Sequence, residues 1–435
     1  MRGCVPVGQN TFKVCIVFER MSLHSKMLIG FVLGTLSGLG AHWLDIGPIL
    51  TYGVPVASFI GQIFLRLLLM LVLPLIVSAL ILGISEVGDL KNLGRMGLVT
   101  ILCVTALSLL SVVLGMGVVW LFKPGEGLDE HTVQALLQQA QQNNIALGTH
   151  ANFEGNILVH LIPTNIVAAA SSGDILGVMV FALLFGVAMT GIASTQTKAL
   201  RDVLNGVFEV SMRLCDIVLR MGPYAIFCLI FAMMANFGLE LMLSLGRYVG
   251  TVLLAMALHY FGVYSFFLSA FARMNPWRFF RNIQEAAVTA FATASSNATL
   301  PTALKVAEED LRLHPEAARF VLTIGATANQ NGTALFEGIT VLFLAQVFGV
   351  ELSWVQQLLV LGIAVLGGIG TAGVPAGSLP VIAAILATIG VPVEGIGLIL
   401  GIDRFLDMCR TSLNVAGDLV VASIVSRSED KVRRR

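Results

Sequence analysis

The chain has 435 residues, 56% of them hydrophobic and only 12% charged, with a mean hydropathy of +0.87. Soluble domains carry about a quarter charged residues, so this composition excludes a nucleic-acid binder, a disordered chain and an ordinary cytosolic enzyme, and it indicates a polytopic membrane protein. Lys+Arg and Asp+Glu balance at 26 each, so only the placement of charge along the chain is informative.

Residues 1–20 hold Arg2, Lys13 and Arg20 and no long apolar core, which excludes a secretory signal. They read as a disordered cytoplasmic tail or a mis-assigned start, and Met21 is the expected beginning. A helix needs about 20 apolar residues to cross a bilayer. Runs of that kind lie at roughly 27–46, 55–85, 96–122, 174–195, 203–236, 243–272, 317–349 and 395–425. Two further stretches, roughly 279–304 and 356–391, are interrupted midway by small and polar residues.

Loop charge sets the orientation. Lys26, then Lys91 and Arg95, Lys198 and Arg201, Arg273, Arg278 and Arg281, and Lys305, Arg312 and Arg319 fall in one set of loops, and the chain closes on Arg427, Lys431 and Arg433 to Arg435. The alternate loops hold Lys123 and Arg247 only, and the 123–172 loop carries Glu126, Asp129, Glu130 and Glu154. Both termini are therefore expected in the cytoplasm. Eight spans fit, and the two interrupted stretches become re-entrant hairpins, the first open to the cytoplasm and the second to the outside. The Gln-rich segment Gln134 to Asn144 reads as a flexible external loop.

The last span is the first place where chemistry concentrates. At 100° per residue, Asp403 sits at 0°, Asp407 at ~40°, Arg410 at ~340°, Thr411 at ~80°, Asn414 at ~20° and Asp418 at ~60°. A polar stripe this deep faces protein or water, not lipid. Asp407 and Arg410 could form an ion pair that locks helices together. Asn414 and Asp418 continue the stripe two turns further without another cation, which suits a mobile counter-ion.

The two interruptions form a second feature. One runs from Ala292 to Pro301 and includes Ser295 and Ser296; the other runs from Gly367 to Pro380. Irregular backbone at membrane depth survives when buried in protein or lining a cavity, and free N–H groups at a half-helix start attract a carboxylate. Two matching interruptions suggest an inverted repeat with a site at its interface. A third feature is Ala328-Asn329-Gln330-Asn331-Gly332-Thr333 in the seventh span. This run should unwind the helix and offer carbonyl and amide oxygens to a cation. Glu337 follows in the next turn as a candidate proton carrier.

Six cysteines show no paired spacing and read as small buried residues. His259, inside an apolar run, reads as a helix-to-helix hydrogen-bonding residue rather than a metal ligand.

Taken together, these features resemble the dicarboxylate/amino-acid:cation symporter family, the glutamate transporter homologues. The likeness covers nearly the whole chain from Met21. It rests on Phe64-Leu65-Arg66-Leu67-Leu68 before Pro74, Ile162-Pro163-Thr164-Asn165, the two hairpin tips, the seventh-span break, and Asp407-Met408-Cys409-Arg410-Thr411 with Asn414 and Asp418. It implies an all-α inverted-repeat fold of eight transmembrane helices and two re-entrant hairpins, assembled as a homotrimer in a plasma membrane, such as a bacterial inner membrane. It further implies a scaffold at 21–95 and 173–240, a mobile transport domain at 96–122 and 241–425, an external loop at 123–172 and a tail at 426–435.

By position, the resemblance assigns Arg410 to a substrate's side-chain carboxylate, a task suited to a guanidinium fork. Asp407 is assigned to the α-amino group, Thr333, Thr411 and Asn414 to polar contacts, Ser295 and Ser296 to the α-carboxylate, and Ala372, Gly373 and Val374 to the external gate. A sodium site would use Gly325, Asn329, Asn414 and Asp418, and a second would lie near Thr371. A third is expected to be absent, because Asn331, Gln330, Val104 and Leu107 stand where the family offers ligands or their neighbours, although Ser108 remains. Ala294 and Met408 likewise stand where members often place a second Arg. Glu337 falls where proton-coupled members carry their proton.

The expected function is symport of glutamate or aspartate driven by a proton gradient, a sodium gradient or both. No nucleic-acid partner, no cofactor beyond the coupling ions and no enzymatic activity are expected. The alternative in the same class is a C4-dicarboxylate or neutral amino-acid carrier; Asp407 argues against the first, since it repels a plain dicarboxylate, and Arg410 against the second. A channel or an intramembrane enzyme is the alternative class, and the Ser295-Ser296 pair lacks an obvious base.

Overall fold

The fold follows from where the chain can and cannot continue a helix. The computed structural model describes residues 23–44, 47, 49–89, 95–127, 134, 162–172, 175–370 and 378–433. Among them, every element is helical. The sequence expectations for residues 1–22 and for most of the 123–172 loop lie outside the described residues.

The elements in order are α1 (Leu23–Trp43), α2 (Val54–Met70), α3 (Val72–Asp89), α4 (Arg95–Phe122), α5 (Ile166–Ser172), α6 (Ile175–Thr190), α7 (Ser194–Arg220) and α8 (Gly222–Ala257). After α8, the chain runs through two wide turns, Leu258–Val263 and Leu268–Ala272, flanking the short helix α9 (Tyr264–Phe267). Then come α10 (Pro276–Asn282), α11 (Gln284–Thr293), α12 (Ser296–Lys305), α13 (Pro315–Ala328), α14 (Asn331–Val347), α15 (Trp354–Gly370), α16 (Ser378–Ile389) and α17 (Ile396–Arg433).

Local chemistry sets these boundaries. The apolar run 55–85 divides at Leu71 because Pro74 gives no N–H to the Met70 carbonyl and its ring crowds that group. The run 203–236 divides at Met221, just before Gly222-Pro223, so its first part belongs to α7 and the rest opens α8. Inside α8 the chain kinks at Gly238, whose φ of 65° and ψ of −149° suit only glycine. The His42 ring lies against this kink, with Nδ1 2.9 Å from the Ala235 carbonyl. Asn275 caps α10 by accepting from the N–H groups of Trp277 and Arg278, ahead of Pro276. Ser353 and Gln356 form a reciprocal capping box at the start of α15.

Packing divides into recognisable contacts. In α1, Gly30, Gly34 and Gly38 lie at four-residue spacing and let its backbone approach α8 at Pro223, Phe227 and Phe231. This is the small-residue contact that lets membrane helices approach closely. Helix α3 packs on α6 and α7. Helix α4 packs on α14, and α17 receives α8, α11, α13 and α14. The most apolar stretch of α17 is 83% buried inside the protein, against 39% for α4, so α17 is the central element and its polar stripe faces protein.

Among the described residues, three stretches are long and apolar enough to cross a membrane: Arg95–Phe122, Met242–Ala272 and Ile402–Glu429. Shorter apolar helices accompany them. Exposed Val203, Val207, Val210, Leu214 and Ile217 line one side of α7, a large apolar face that marks a lipid or protein contact.

Candidate functional site

The site is built where α17 passes the break between α13 and α14. Asn329 (φ −117°, ψ 66°) and Gln330 (φ −99°, ψ 60°) leave helical geometry. The six-residue run thus unwinds at two residues only, and α14 restarts at Asn331. Most of α14, including Asn331, Thr333 and Glu337, is buried.

All six residues of the α17 stripe are buried: Asp403, Asp407, Arg410, Thr411, Asn414 and Asp418. The stripe binds the break at two levels. Asn414 Oδ1 accepts from the Gly332 N–H at 2.7 Å, while its Nδ2 donates to Thr333 Oγ1 at 3.2 Å and to Gln330 Oε1. One turn on, Asp418 Oδ1 accepts from Asn329 Nδ2 at 2.8 Å. Asp418 also lies against the Gly325 backbone, where no Cβ would fit. The Gly325 carbonyl accepts the Asn329 N–H at 3.0 Å, and the side-chain oxygen of Asn329 is buried with no hydrogen-bond partner. Asp418, Asn329 and the Gly325 backbone therefore meet at one end of the break, and carboxylate, amide and carbonyl oxygens are the donor types that suit a hard cation.

At the other end, Arg410 bridges two carboxylates. Its Nε donates to Asp407 Oδ1 at 3.0 Å and its Nη1 to Asp403 Oδ1 at 3.0 Å. The Phe336 ring of α14 packs against the guanidinium, 4.5 Å from centroid to Cζ, a cation–π contact. The remaining Asp407 oxygen, Oδ2, accepts from Arg404 Nη1 at 3.0 Å. Thr411 Oγ1 donates to the Asp407 carbonyl at 2.7 Å. Arg410 and Asp407 are thus bonded to each other here, the ion pair that their spacing allows.

Two features border this centre. The tip between α11 and α12 turns through Ala294, left-handed at φ 49°, and Ser295 caps α12 by accepting from the Ala298 N–H. Ser296 Oγ is buried without a partner. Both helices pack on α17. Glu337 is fully buried, and neither carboxyl oxygen has a hydrogen-bond partner. Its Oε2 would lie 2.7 Å from a Cβ on Gly367 of α15. Thr371, Ala372, Gly373 and Val374 lie outside the described residues.

Sequence reading missed several partners. Asp403, on the stripe but not foreseen as a partner of Arg410, and Arg404 complete the ion-pair cluster; their spacing of seven and three from Arg410 and Asp407 was the available signal. Gln330 bonds Asn414. Asn331 Oδ1 accepts from Ser108 Oγ at 2.8 Å and its Nδ2 donates to Tyr264 Oη at 3.3 Å, contacts between distant segments that no local pattern marks. His259 does not make the expected helix-to-helix hydrogen bond. Its ring nitrogens have no partner, and the ring packs edge-on against Tyr264 at 4.8 Å. Cys103, Cys228 and Cys409 are free thiols.

Comparison with known proteins gives the same direction. The chain is 32% identical to a proton/sodium-glutamate symport protein of Bacillus subtilis (strain 168), over 94% of this chain and 93% of that protein. It is 32% identical to a proton/glutamate-aspartate symporter of Escherichia coli (strain K12), over 96% and 95%, and to excitatory amino acid transporter 2 of Homo sapiens, over 99% and 81%. The family model of the sodium:dicarboxylate symporters matches residues 23–428. With a break, a buried polar stripe and a helical frame that all suit such a carrier, the chain belongs to the sodium:dicarboxylate symporter family.

Proposed function

We propose that this protein is a secondary symporter of acidic amino acids, glutamate or aspartate, driven by a proton gradient, a sodium gradient or both. The observation that carries the reading is the buried Arg410–Asp407 pair beside the helix break. A guanidinium and a carboxylate one turn apart match the two charge signs of a zwitterion with an acidic side chain. Asp407 repels a plain dicarboxylate and attracts an ammonium, so an acidic amino acid suits the pair better than succinate. The names of the relatives support the same substrate class.

In this reading, substrate takes Arg410 with its side-chain carboxylate and Asp407 with its amino group, so both exchange each other for substrate. Thr333, Thr411 and Asn414 line the pocket. Ser295 and Ser296 meet the α-carboxylate, and the partnerless Ser296 hydroxyl suits that role. Ala372, Gly373 and Val374 form the external gate. Sodium takes Asp418, Asn329, Asn414 and Gly325, with a second ion near Thr371. Glu337 carries the proton. A third sodium site at Asn331 is disfavoured, because Ser108 and Tyr264 already use both ends of that amide.

The chain is a carrier rather than an enzyme. Its helices form eight spans and two re-entrant hairpins, in a plasma membrane such as a bacterial inner membrane, with both termini cytoplasmic. Residues 21–95 and 173–240 form the scaffold of a homotrimer, and residues 96–122 and 241–425 move as the transport domain. The packing of α11, α13 and α14 on α17 supports a single moving body. Uptake of labelled aspartate into proteoliposomes, with sodium and proton gradients imposed separately, tests the proposal. Accumulation driven by either gradient and competed by glutamate more strongly than by succinate is expected. No gradient-driven accumulation, or stronger competition by succinate, overturns it.

A further inference from the structure

The stretch from Leu258 to Gln284 contains no acidic residue and three arginines, Arg273, Arg278 and Arg281. All three are exposed, and among the described residues none of their guanidinium groups has a partner. The acidic groups that follow do not neutralise them. Glu285 takes Lys305 at 3.0 Å and Glu308 takes Arg319 at 2.8 Å. Glu309 and Asp310 bond none of the three.

Local structure turns this charge outward. The chain reverses at Arg273, left-handed at φ 55°, and Asn275 caps the short helix α10. At 100° per residue, Arg281 lies ~40° and Arg278 ~100° from Trp277 around α10, so the three share one side. The opposite side is anchored: Phe279 is buried, and Phe280 stacks on Tyr260 at 5.1 Å. Trp277 is 81% exposed, and the preceding segment exposes Phe261, Phe266 and Phe271. Tryptophan and arginine beside an apolar aromatic face match a membrane–water boundary. There an indole meets the base of the acyl chains and a guanidinium meets phosphate. Loop charge that serves orientation alone requires neither an exposed tryptophan nor a fixed helix face.

Resting on the membrane reading above, we propose that Arg273, Arg278, Arg281 and Trp277 seat the headgroup of an anionic phospholipid. The guanidinium groups take its net negative charge, and Trp277 lies at the boundary between headgroup and chains. Helix α10 leads directly into α11, so the bound lipid holds the base of the hairpin whose tip carries Ser295 and Ser296.

The test is quenching of Trp277 fluorescence by lipids with brominated chains, with the purified protein in phosphatidylcholine vesicles. The chain has four tryptophans. A variant carrying W43F, W120F and W354F isolates Trp277; should it not reconstitute, the difference between wild type and W277F gives the same signal. At equal mole fraction, brominated phosphatidylglycerol should associate about fivefold more strongly than brominated phosphatidylcholine. R273Q/R278Q/R281Q, changed only at exposed side chains, should remove that preference while quenching by phosphatidylcholine persists. Should the triple variant not reconstitute, R281Q alone must lower the preference, and no movement overturns the inference. Equal quenching by both lipids in the unaltered arginine background, or a preference that survives the triple substitution, also overturns it. So does loss of the preference to inorganic phosphate at an ionic strength where chloride leaves it intact, since the seat would then suit a free anion. The W277F protein keeps the membrane reading separate. Quenching of its remaining tryptophans upholds embedding even where the inference fails, and quenching of no tryptophan at all strikes the membrane reading itself.

Discussion

Asp418 Oδ1 accepts a hydrogen bond from Asn329 Nδ2 at 2.8 Å, joining the central helix α17 to the two-residue break between α13 and α14. The same carboxylate lies against Gly325, so three of the proposed cation ligands are held together by one contact set. D418N keeps the shape and removes the charge. G325A forces a methyl into the Asp418 carboxylate. Both should raise the sodium concentration needed for half-maximal uptake by about tenfold or more. Titrating uptake against sodium checks this; an unchanged sodium dependence in both variants removes Asp418 from the cation site.

Glu337 is buried with no hydrogen-bond partner, beside Gly367. E337Q keeps the volume and removes the titrating proton, so uptake should lose its dependence on external pH while substrate binding survives. G367A should disturb the same residue, since its Cβ would stand 2.7 Å from Glu337 Oε2. The pH profile of uptake is the measurement, and a wild-type profile in E337Q refutes the proton-carrier role.

Arg410 compensates Asp403 and Asp407 together. R410C leaves two buried carboxylates without it, a loss of about 3–5 kcal/mol in stability for a broken buried pair. It should abolish aspartate and glutamate uptake and allow serine or cysteine to compete. Competition assays together with thermal unfolding in detergent separate the two effects; unchanged glutamate transport contradicts the assignment.

The α1–α8 contact should respond to a single methyl. A Cβ on Gly38 would meet Met234 Cβ at 2.6 Å and the Phe231 carbonyl at 2.7 Å, whereas a Cβ on Gly40 meets nothing within 4 Å. G38A should therefore destabilise by about 1–3 kcal/mol through overpacking, and G40A should be close to neutral. Thermal unfolding of the two purified variants gives the comparison.

Glu308, between the first hairpin and the seventh span, accepts from Arg319 Nε at 2.8 Å, and this bond holds its carboxyl below its ordinary value. A depressed carboxylate contributes stability above its unfolded value and loses it as pH falls through the folded one. E308Q should thus be slightly less stable than wild type near neutral pH, and the two should converge in acid. The pair is solvent-exposed, so the difference is small and should shrink further in salt.

Much of this was legible because membrane burial imposes strong local rules. The polar stripe of α17 emerged from helical spacing alone, and all six of its residues are buried. The break was legible from Asn329, Gln330, Asn331 and Gly332 in succession, although only Asn329 and Gln330 leave the helix, since Asn331 and Gly332 gain bonds from Ser108 and Asn414. Helix ends depended on single residues, and a hydropathy run cannot see Leu71 or Met221 as boundaries. Partner choice was the least legible. Arg410 bonds both Asp407 and Asp403 while the Phe336 ring of α14 lies against its guanidinium, a contact across the interface that helical spacing does not mark. The close approach of α1 to α8 could have been read from Gly30, Gly34 and Gly38 at four-residue spacing. His259 was misjudged because an apolar run suggests a hydrogen-bonding partner across the interface, whereas the wide turn at Leu258–Val263 leaves its ring packed against Tyr264.

The central claim is that Arg410 and Asp407 part to grip opposite ends of one acidic amino acid. A cryo-EM map of the purified protein with aspartate bound tests it most directly. The account predicts density between the two residues, with the side-chain carboxylate on the Arg410 guanidinium and the amino group on the Asp407 carboxylate. Aspartate elsewhere, with Arg410 still bonded to Asp407 as it is here, would contradict it.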